Sequence, residues 1–355
     1  MKKQELFKLL DNINQEEGKE STFNVNDRVL IIDGMNLFLR NFAILNYVNE
    51  AGVHIGGLAG FLRSLGFLIN QIKPTSVYVV FDGIGSSTNR KNLIPEYKSG
   101  RNVNRITNWD VFENLDEEHD SKIDQISRLI HYLRCLPIKI ISIDKVEADD
   151  IIAHISDYLS TKHNSKCFIV SSDKDFIQLI NGNIIVYRPT EKEFYTPKTV
   201  VEKFGVLPEN FIIYKTLIGD NSDKITGIKD LGPKTLLSKF PELATKVLSL
   251  DDIYKISEEK YKEHVIYSRI ILERDSLDKN FKVMDLKNPL MDDNEKEYLN
   301  DIINQPCFEL NIADFMYLYN EDGLGHSIKN VNFWLQDNFM PLNNFNKSKN
   351  DTTIN

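Results

Sequence analysis

Apolar positions along the chain fall into two alternating kinds. Short unbroken runs, "RVLIID" (28–33), "SVYVVFDG" (76–83), "IKIISI" (138–143), "KCFIVSSDKDF" (166–176) and "NIIVYRP" (183–189), are rich in β-branched residues and predict buried strands. Between them, "GGLAGFLRSLGFLINQI" (56–72) and "IDQISRLIHYLRCL" (123–136) predict helices. A third helix follows Asp150, where Ile151, Ile152, Ile155 and Leu159 form one stripe. Strands alternating with helices predict an α/β fold with a central, parallel-rich sheet flanked by helices.

From about residue 201 the pattern turns helical, in "PENFIIYKTLIG", "GPKTLLSKF", "LATKVLSL" and "EEKYKEHVIYSRIILERD". The chain therefore divides into a polar lead (1–25) with one amphipathic piece at Glu5–Leu10, an α/β domain (26–200) and a helical part (201–335). A polar, irregular insertion lies at about 84–125, and the Asn-rich tail (336–355) is expected to be disordered. No internal repeat is found.

Composition removes several function classes. No run of 18 apolar residues occurs, so no membrane partner is expected, and the N-terminus lacks the apolar core of a signal peptide. Cys135, Cys167 and Cys307 are widely spaced and odd in number, which fits reduced cytoplasmic thiols. The seven histidines show no metal-binding spacing, and His154 reads as helix surface. The net charge of −9 argues against nucleic acid only on the global scale. Locally, Arg90, Lys91, Lys98, Arg101 and Arg105 face Glu96 alone, and Lys224, Lys229, Lys234 and Lys239 face Asp230 alone.

The acids carry more information. Glu147, Asp149 and Asp150 crowd the start of one helix. Taken alone, this is ordinary, since a first-turn carboxylate interacts with the helix dipole by about 0.3–1 kcal/mol. Asp33, Asp82, Asp173 and Asp175, however, all lie at or just past predicted strand ends, the edge where open parallel sheets bind ligands. Seven carboxylates are then expected in one cleft. Two charges about 4 Å apart repel by roughly 4 kcal/mol at an effective dielectric of 20, so such a cluster calls for cations. An all-oxygen donor set suits Mg²⁺ or Mn²⁺. An EF-hand does not fit, because neither "DKDFIQ" nor "DNSDKI" has the Gly at the sixth position or the closing Glu. The chemistry such a centre supports is two-metal phosphodiester hydrolysis. The candidate ligands exceed what two Mg²⁺ ions take directly, so some belong outside the coordination sphere.

A second feature points to nucleic acid. "LIGDNSDKITGIKDLGPKTLLSKF" (217–240) reads as helix, Gly-bearing hairpin with Gly227 and Gly232, and helix. Pro233 suits a first helical position, leaving the amides of Lys234 and Thr235 to face a phosphate. Such a hairpin grips backbone without reading sequence. Asp220 and Asp223 open the same loop, within reach of the acidic cluster.

Together these segments resemble the 5′-nuclease family of flap endonucleases and polymerase I 5′–3′ exonuclease domains. "VLIIDGMN", "VFDG", "VEADD", "SSDKDF" and "GDNSDKITGIKDLGPKT" match its motif blocks in order over roughly 28–240. The resemblance implies a PIN-like nuclease fold with a helical arch and, at 208–240, a helix–three-turn–helix that carries K⁺ in relatives. It implies one ion on Asp33, Asp82, Glu147 and Asp149, and a second on Asp149, Asp173, Asp175 and Asp220. Asp150 and Asp223 would lie in the outer shell. "PEYKSGR" (95–101) is similar to the arch segment, which makes Tyr97 and Lys98 contacts of the scissile phosphate, with Arg101 beside them and Arg90 and Lys91 as DNA contacts. No polymerase follows, so a free-standing enzyme is expected. The long lead and helical C-terminal part look most like the T-even phage RNase H type.

That subtype implies a monomer in the host cytoplasm that removes RNA primers and 5′ flaps from branched DNA and RNA–DNA hybrids. Two short apolar pieces, "QELFKLL" and "FWLQDNFMPL", are candidate docking segments for a sliding clamp or a single-strand-binding protein, although local packing or disorder accounts for each more readily. Two other readings compete. A PIN-type ribonuclease shares strand-end carboxylates but needs neither the 217–240 hairpin nor the arch. A non-catalytic DNA-binding scaffold would show Asn, Ser or Ala at some of the acidic positions.

Overall fold

The computed structural model describes residues 25–100, 106–325 and 327–347. The amphipathic piece at Glu5–Leu10, Arg101 and Arg105 lie outside them.

Six strands form the sheet: β1 (Arg28–Asp33), β2 (Ser76–Val80), β3 (Lys139–Ile141), β4 (Lys166–Val170), β5 (Ile184–Arg188) and β6 (Glu193–Tyr195). Their order is β3-β2-β1-β4-β5-β6, parallel except for the final β5–β6 pair. The chain builds outward from β1 to β3, then returns to lay β4 on the other side of β1. The β1–β4 boundary is therefore a topological switch point, and the carboxyl end of such a boundary is where a cleft opens.

Helices cover both faces: α1 (Gly34–Ile44), α2 (Gly56–Ile72), α3 (Thr88–Leu93), α4 (Leu115–Arg134), α5 (Ala148–Lys162) and α6 (Pro197–Phe204). Because strand side chains alternate, Val29 and Ile31 of β1 pack with Ile151, Ile152 and Ile155 of α5. Leu30 and Ile32 pack on the opposite face with Leu62 and Leu65 of α2 and Leu129 and Leu133 of α4. The strands are buried on both faces, which is why they read as continuous apolar runs.

Past β6 come α7 (Phe211–Ile218), a hairpin of β7 (Gly219–Asp220) and β8 (Ile225–Thr226), then α8 (Pro233–Lys239), α9 (Leu250–Lys260), α10 (Val265–Leu272), α11 (Arg274–Met284), α12 (Asp293–Asn304), α13 (Ile312–Glu321) and α14 (Val331–Lys347). The α7, α10 and α11 helices extend the first core, whereas α13 and α14 join the second. His154 of α5 is half-buried against Asn300 of α12.

Several expectations need correction. The 84–125 insertion is not uniformly irregular: α3 lies within it, and α4 begins at Leu115, where Asn114 caps the helix by accepting from the Glu117 amide. The predicted helix over 243–250 is absent, because Ser249 and Asp252 form a reciprocal capping box that starts α9 there. The run 258–275 is broken, since His264 caps a separate α10. The tail is not disordered through residue 347: Leu335, Phe339 and Leu342 of α14 are buried, and Trp334 fills the space above Gly66 of α2. The Asn-rich composition hid an apolar stripe. The "FWLQDNFMPL" segment thus packs Leu335, Phe339 and Leu342 into the fold and leaves Phe333 and Met340 exposed. Among the described residues, no helix is long and apolar enough to cross a membrane.

Candidate active site

Each acidic residue is placed by a local structural requirement. Asp33 ends β1 and caps α1, accepting from the Asn36 amide at 3.0 Å and the Ser171 hydroxyl at 2.9 Å. Asp82 follows β2, and its position depends on Gly83, where a Cβ would stand 1.8 Å from the Ile143 carbonyl oxygen. Asp82 accepts from the Ala148 amide at 2.9 Å, which ties the end of β2 to the first turn of α5. Glu147 is the residue at the N-cap of α5, with Asp149 and Asp150 in its first turn. Past β4, Asp173 accepts from the Asp175 amide at 2.9 Å, and Asp175 opens a short 3₁₀ turn.

The acids neighbour one another electrostatically. Burial pushes Asp33 up to about 7, with Asp173 and Asp82 adding repulsion. Burial also raises Asp149 well above the usual carboxylate range, with Asp173 and Asp33 contributing next. Asp175 is pushed up to about 6 by burial and Asp173, although Lys215 opposes the shift. Asp33, Asp82, Glu147, Asp149, Asp173, Asp175 and Asp220 are linked through these pairwise repulsions.

Cations already hold part of this ring. Lys98 donates to Glu147 Oε2 at 2.9 Å, the Tyr97 hydroxyl donates to the same oxygen at 3.1 Å, and Arg90 lies 3.2 Å from it. Glu147 Oε1 is buried without a hydrogen-bond partner. Lys98 sits in the left-handed region at φ 55°, in a turn whose backbone is pinned where the Lys98 amide donates to the Asp223 carbonyl at 3.1 Å. That bond joins the base of the arch segment to the hairpin loop.

Two candidates change role. Arg90 is buried and clamps both oxygens of Asp150 while donating Nε to the Val283 carbonyl at 3.0 Å. Asp150 also accepts from the Leu290 amide at 3.0 Å. Arg90 is therefore a brace and not a DNA contact, and Asp150, for which an outer-shell place was expected, is held in that brace. Gly227 likewise serves packing: a Cβ there would meet the Ile218 carbonyl carbon at 2.1 Å. With Gly219, at φ 83°, it lets the hairpin close and so places Asp220. Asp223 is buried in the same loop.

Gly232 has open space above its Cα, and Lys234 and Lys91 are exposed, with Thr235 half-exposed. Arg101 lies outside the described residues.

Sequence reasoning missed Lys215. It lies on α7, donates to Asp175 and, at 2.7 Å, to Asp220, and is buried. Burial opposes its charge, yet Asp175, Asp173 and Asp220 keep it protonated. The signal was a single lysine inside the apolar stretch "FIIYKTLI", five residues ahead of Asp220.

Does this edge suit divalent cations? Among the described residues, no three Asp, Glu, His or Cys side chains close into a cage on their own. The remaining observations favour a cation: the donors are all oxygen, Glu147 Oε1 is orphaned, and Asp33 and Asp149 resist ionising without added positive charge. An open set of carboxylates completed by water and substrate phosphate is the ordinary habit of Mg²⁺.

Comparison with known proteins agrees. Residues 28–205 match the family "5′-3′ exonuclease, N-terminal resolvase-like domain". A 5′-3′ exonuclease of Buchnera aphidicola is 30% identical over 230 residues, which span 64% of this chain and 74% of that one. The DNA polymerase I of Lactococcus lactis is 30% identical over 250 residues, covering 68% of this chain but 27% of the polymerase. The solved structure of bacteriophage T5 D15 flap endonuclease, in complex with DNA and metal ions, superimposes with a TM-score of 0.60 at 19% identity, covering 78% of this chain and 100% of that one. Fold and carboxylate edge thus define a nuclease. The chain belongs to the 5′–3′ exonuclease family of 5′-nucleases.

Proposed function

We propose that the protein is a divalent-metal-dependent 5′–3′ exonuclease and flap endonuclease that removes RNA primers and 5′ flaps from branched DNA and RNA–DNA hybrids. The observation that carries this is the meeting, at the carboxyl end of the β1–β4 switch point, of carboxylates from three strand ends, the start of α5 and the hairpin loop. Asp33, Asp82, Glu147 and Asp149 would hold one ion, and Asp149, Asp173, Asp175 and Asp220 the other, as Mg²⁺ or Mn²⁺. Asp223 would act from outside the coordination sphere. When bound, such a pair activates water and neutralises the phosphodiester in an in-line displacement.

The chain's own groups do the positioning. Lys98 and Tyr97, both held on Glu147, stand beside the metal-ligand edge, where an ammonium and a phenol hydroxyl can contact the scissile phosphate. Lys234, the Thr235 amide and the open backbone at Gly232 offer a phosphate grip on the duplex, with Lys91 and Arg101 as further contacts. The 208–240 segment acts as the helix–three-turn–helix, with K⁺ as a candidate ligand of its hairpin. The enzyme would act as a monomer.

The test is a 5′-labelled flap, as DNA and as RNA on DNA, incubated with Mg²⁺ and then with EDTA. Metal-dependent cleavage at the flap base and along the hybrid is expected. Metal-independent cleavage, or cutting of single-stranded RNA alone, points instead to another nuclease class.

A further inference from the structure

The acidic edge is not uniform in charge. Around Asp33, Asp149 and Glu147, the nearest cations are Lys98 and Arg90, both of which meet Glu147. The Asp175–Asp220 end differs, because there one ammonium bridges two of the proposed ligands instead of meeting a single one. Lys215 Nζ bridges Asp175 Oδ1 and Asp220 Oδ2 with a side chain only 9% exposed. It emerges from a helix whose Phe211, Ile212, Ile213 and Leu217 are all buried. A buried ammonium is expensive to desolvate, and persists here because two carboxylates face it. It also occupies one oxygen of Asp175 and one of Asp220, two of the four acids proposed for the second ion. Lys215 stands five residues before Asp220, on the helix that leads into the proposed duplex grip.

We propose that Lys215 is a fixed countercharge that makes the two ends of the acidic edge bind divalent cations unequally, weakening the ion shared by Asp175 and Asp220. It is a positioning residue, since it acts through these two acids. The inference rests on the edge being a divalent-metal centre. Its consequence is order: the Asp33–Asp149 end fills first, and the Asp175–Asp220 end fills when other negative charge, such as a substrate phosphate, offsets the ammonium.

The experiment counts Mn²⁺ bound to the metal-stripped full-length protein, by paramagnetic resonance of the free ion and by calorimetry, without substrate. Wild type is expected to show one tighter and one weaker ion, separated by on the order of tenfold or more. Lys215→Met should tighten the weaker ion by about tenfold, whereas Lys215→Arg, which retains the charge, should keep the wild-type inequality. Circular dichroism checks that each variant is folded, and Lys215→Gln carries the same expectation as the methionine variant should that one not fold. Identical Mn²⁺ affinities in wild type and the neutral variant overturn the inference and leave the metal centre standing. Absence of Mn²⁺ binding in every protein overturns the metal centre itself, and this inference with it.

Discussion

The Arg90 guanidinium and the Asp150 carboxylate form a buried, two-pronged ion pair that fastens α3 to the first turn of α5. Arg90 reaches further to the Val283 carbonyl on α11, and Asp150 to the Leu290 amide. One pair therefore joins the base of the arch segment, the acidic helix and the helical C-terminal part. Removing one partner of such a pair strands a buried charge, at a cost of about 3–5 kcal/mol. Arg90→Ala should lower unfolding stability by that amount. The double replacement Arg90→Met with Asp150→Leu should recover most of it, because both charges then leave together. Urea denaturation of the three proteins measures the difference, and an Arg90→Ala protein as stable as wild type contradicts the brace.

Lys98 and Lys234 are both basic but should fail differently. Lys98 is held on Glu147 beside the acidic edge. Charge aimed at a developing transition state is worth roughly 10²–10³ in rate, so Lys98→Ala should lower the single-turnover rate by that factor with little change in affinity. Lys234 is exposed at the start of α8. Lys234→Ala should weaken flap binding and lower its salt dependence by about one phosphate contact, leaving the saturated rate near wild type. Titrations at several salt concentrations, with rates at saturation, separate the two. The reverse pattern would mean that the roles are exchanged.

The acidic edge should also set a pH dependence of stability. Asp33 is pushed up to about 7 and Asp175 to about 6 by burial among like charges, against an ordinary value of 3.8. Between 3.8 and those values the folded state binds more protons than the unfolded chain. Stability from these groups is therefore full below the ordinary value of 3.8, falls as pH rises from there, and is lost once pH has passed about 6 for Asp175 and about 7 for Asp33. Melting temperatures of the metal-stripped protein should fall across that range. Mg²⁺ should restore them more at pH about 8 than at about 5.5, because cations favour the ionised carboxylates. A melting temperature indifferent to Mg²⁺ at both values would speak against a cation site.

The α14 helix should be required for the fold. Phe339 is fully buried in the second core. Phe339→Ala should cost about 3–5 kcal/mol, and truncation before residue 336 more than that. Wild-type denaturation midpoints for either variant would mean that the tail contributes nothing.

The strands and the acidic edge were legible because two-sided burial leaves continuous apolar runs, and because strand-end acids share an edge whatever the loop details. Asp33, Asp82, Glu147, Asp149, Asp173 and Asp175 could all be placed in this way. Arg90 was misjudged because a basic run looks solvated until its partner is known, and Asp150 lies sixty residues away in sequence. Lys215 escaped because a single lysine in an apolar helix has no periodic signature. The α14 helix escaped because five asparagines, Asn332, Asn338, Asn343, Asn344 and Asn346, interrupt it and mask the stripe of Leu335, Phe339 and Leu342. Helix breaks at Ser249 and His264 depended on caps, which act over three residues and outweighed the longer apolar pattern.

The most direct test concerns Asp149, the carboxylate that neighbours Asp33, Glu147 and Asp173 and would bridge the two ions. Single-turnover cleavage of a 5′-labelled flap by Asp149→Asn in Mg²⁺ should be abolished. Binding of the same flap, measured by anisotropy in EDTA, should stay within a few-fold of wild type, since the proposed grip lies in the hairpin and the arch segment. Cleavage at near the wild-type rate, or a loss of binding as large as the loss of rate, would contradict a metal-dependent active site at this edge.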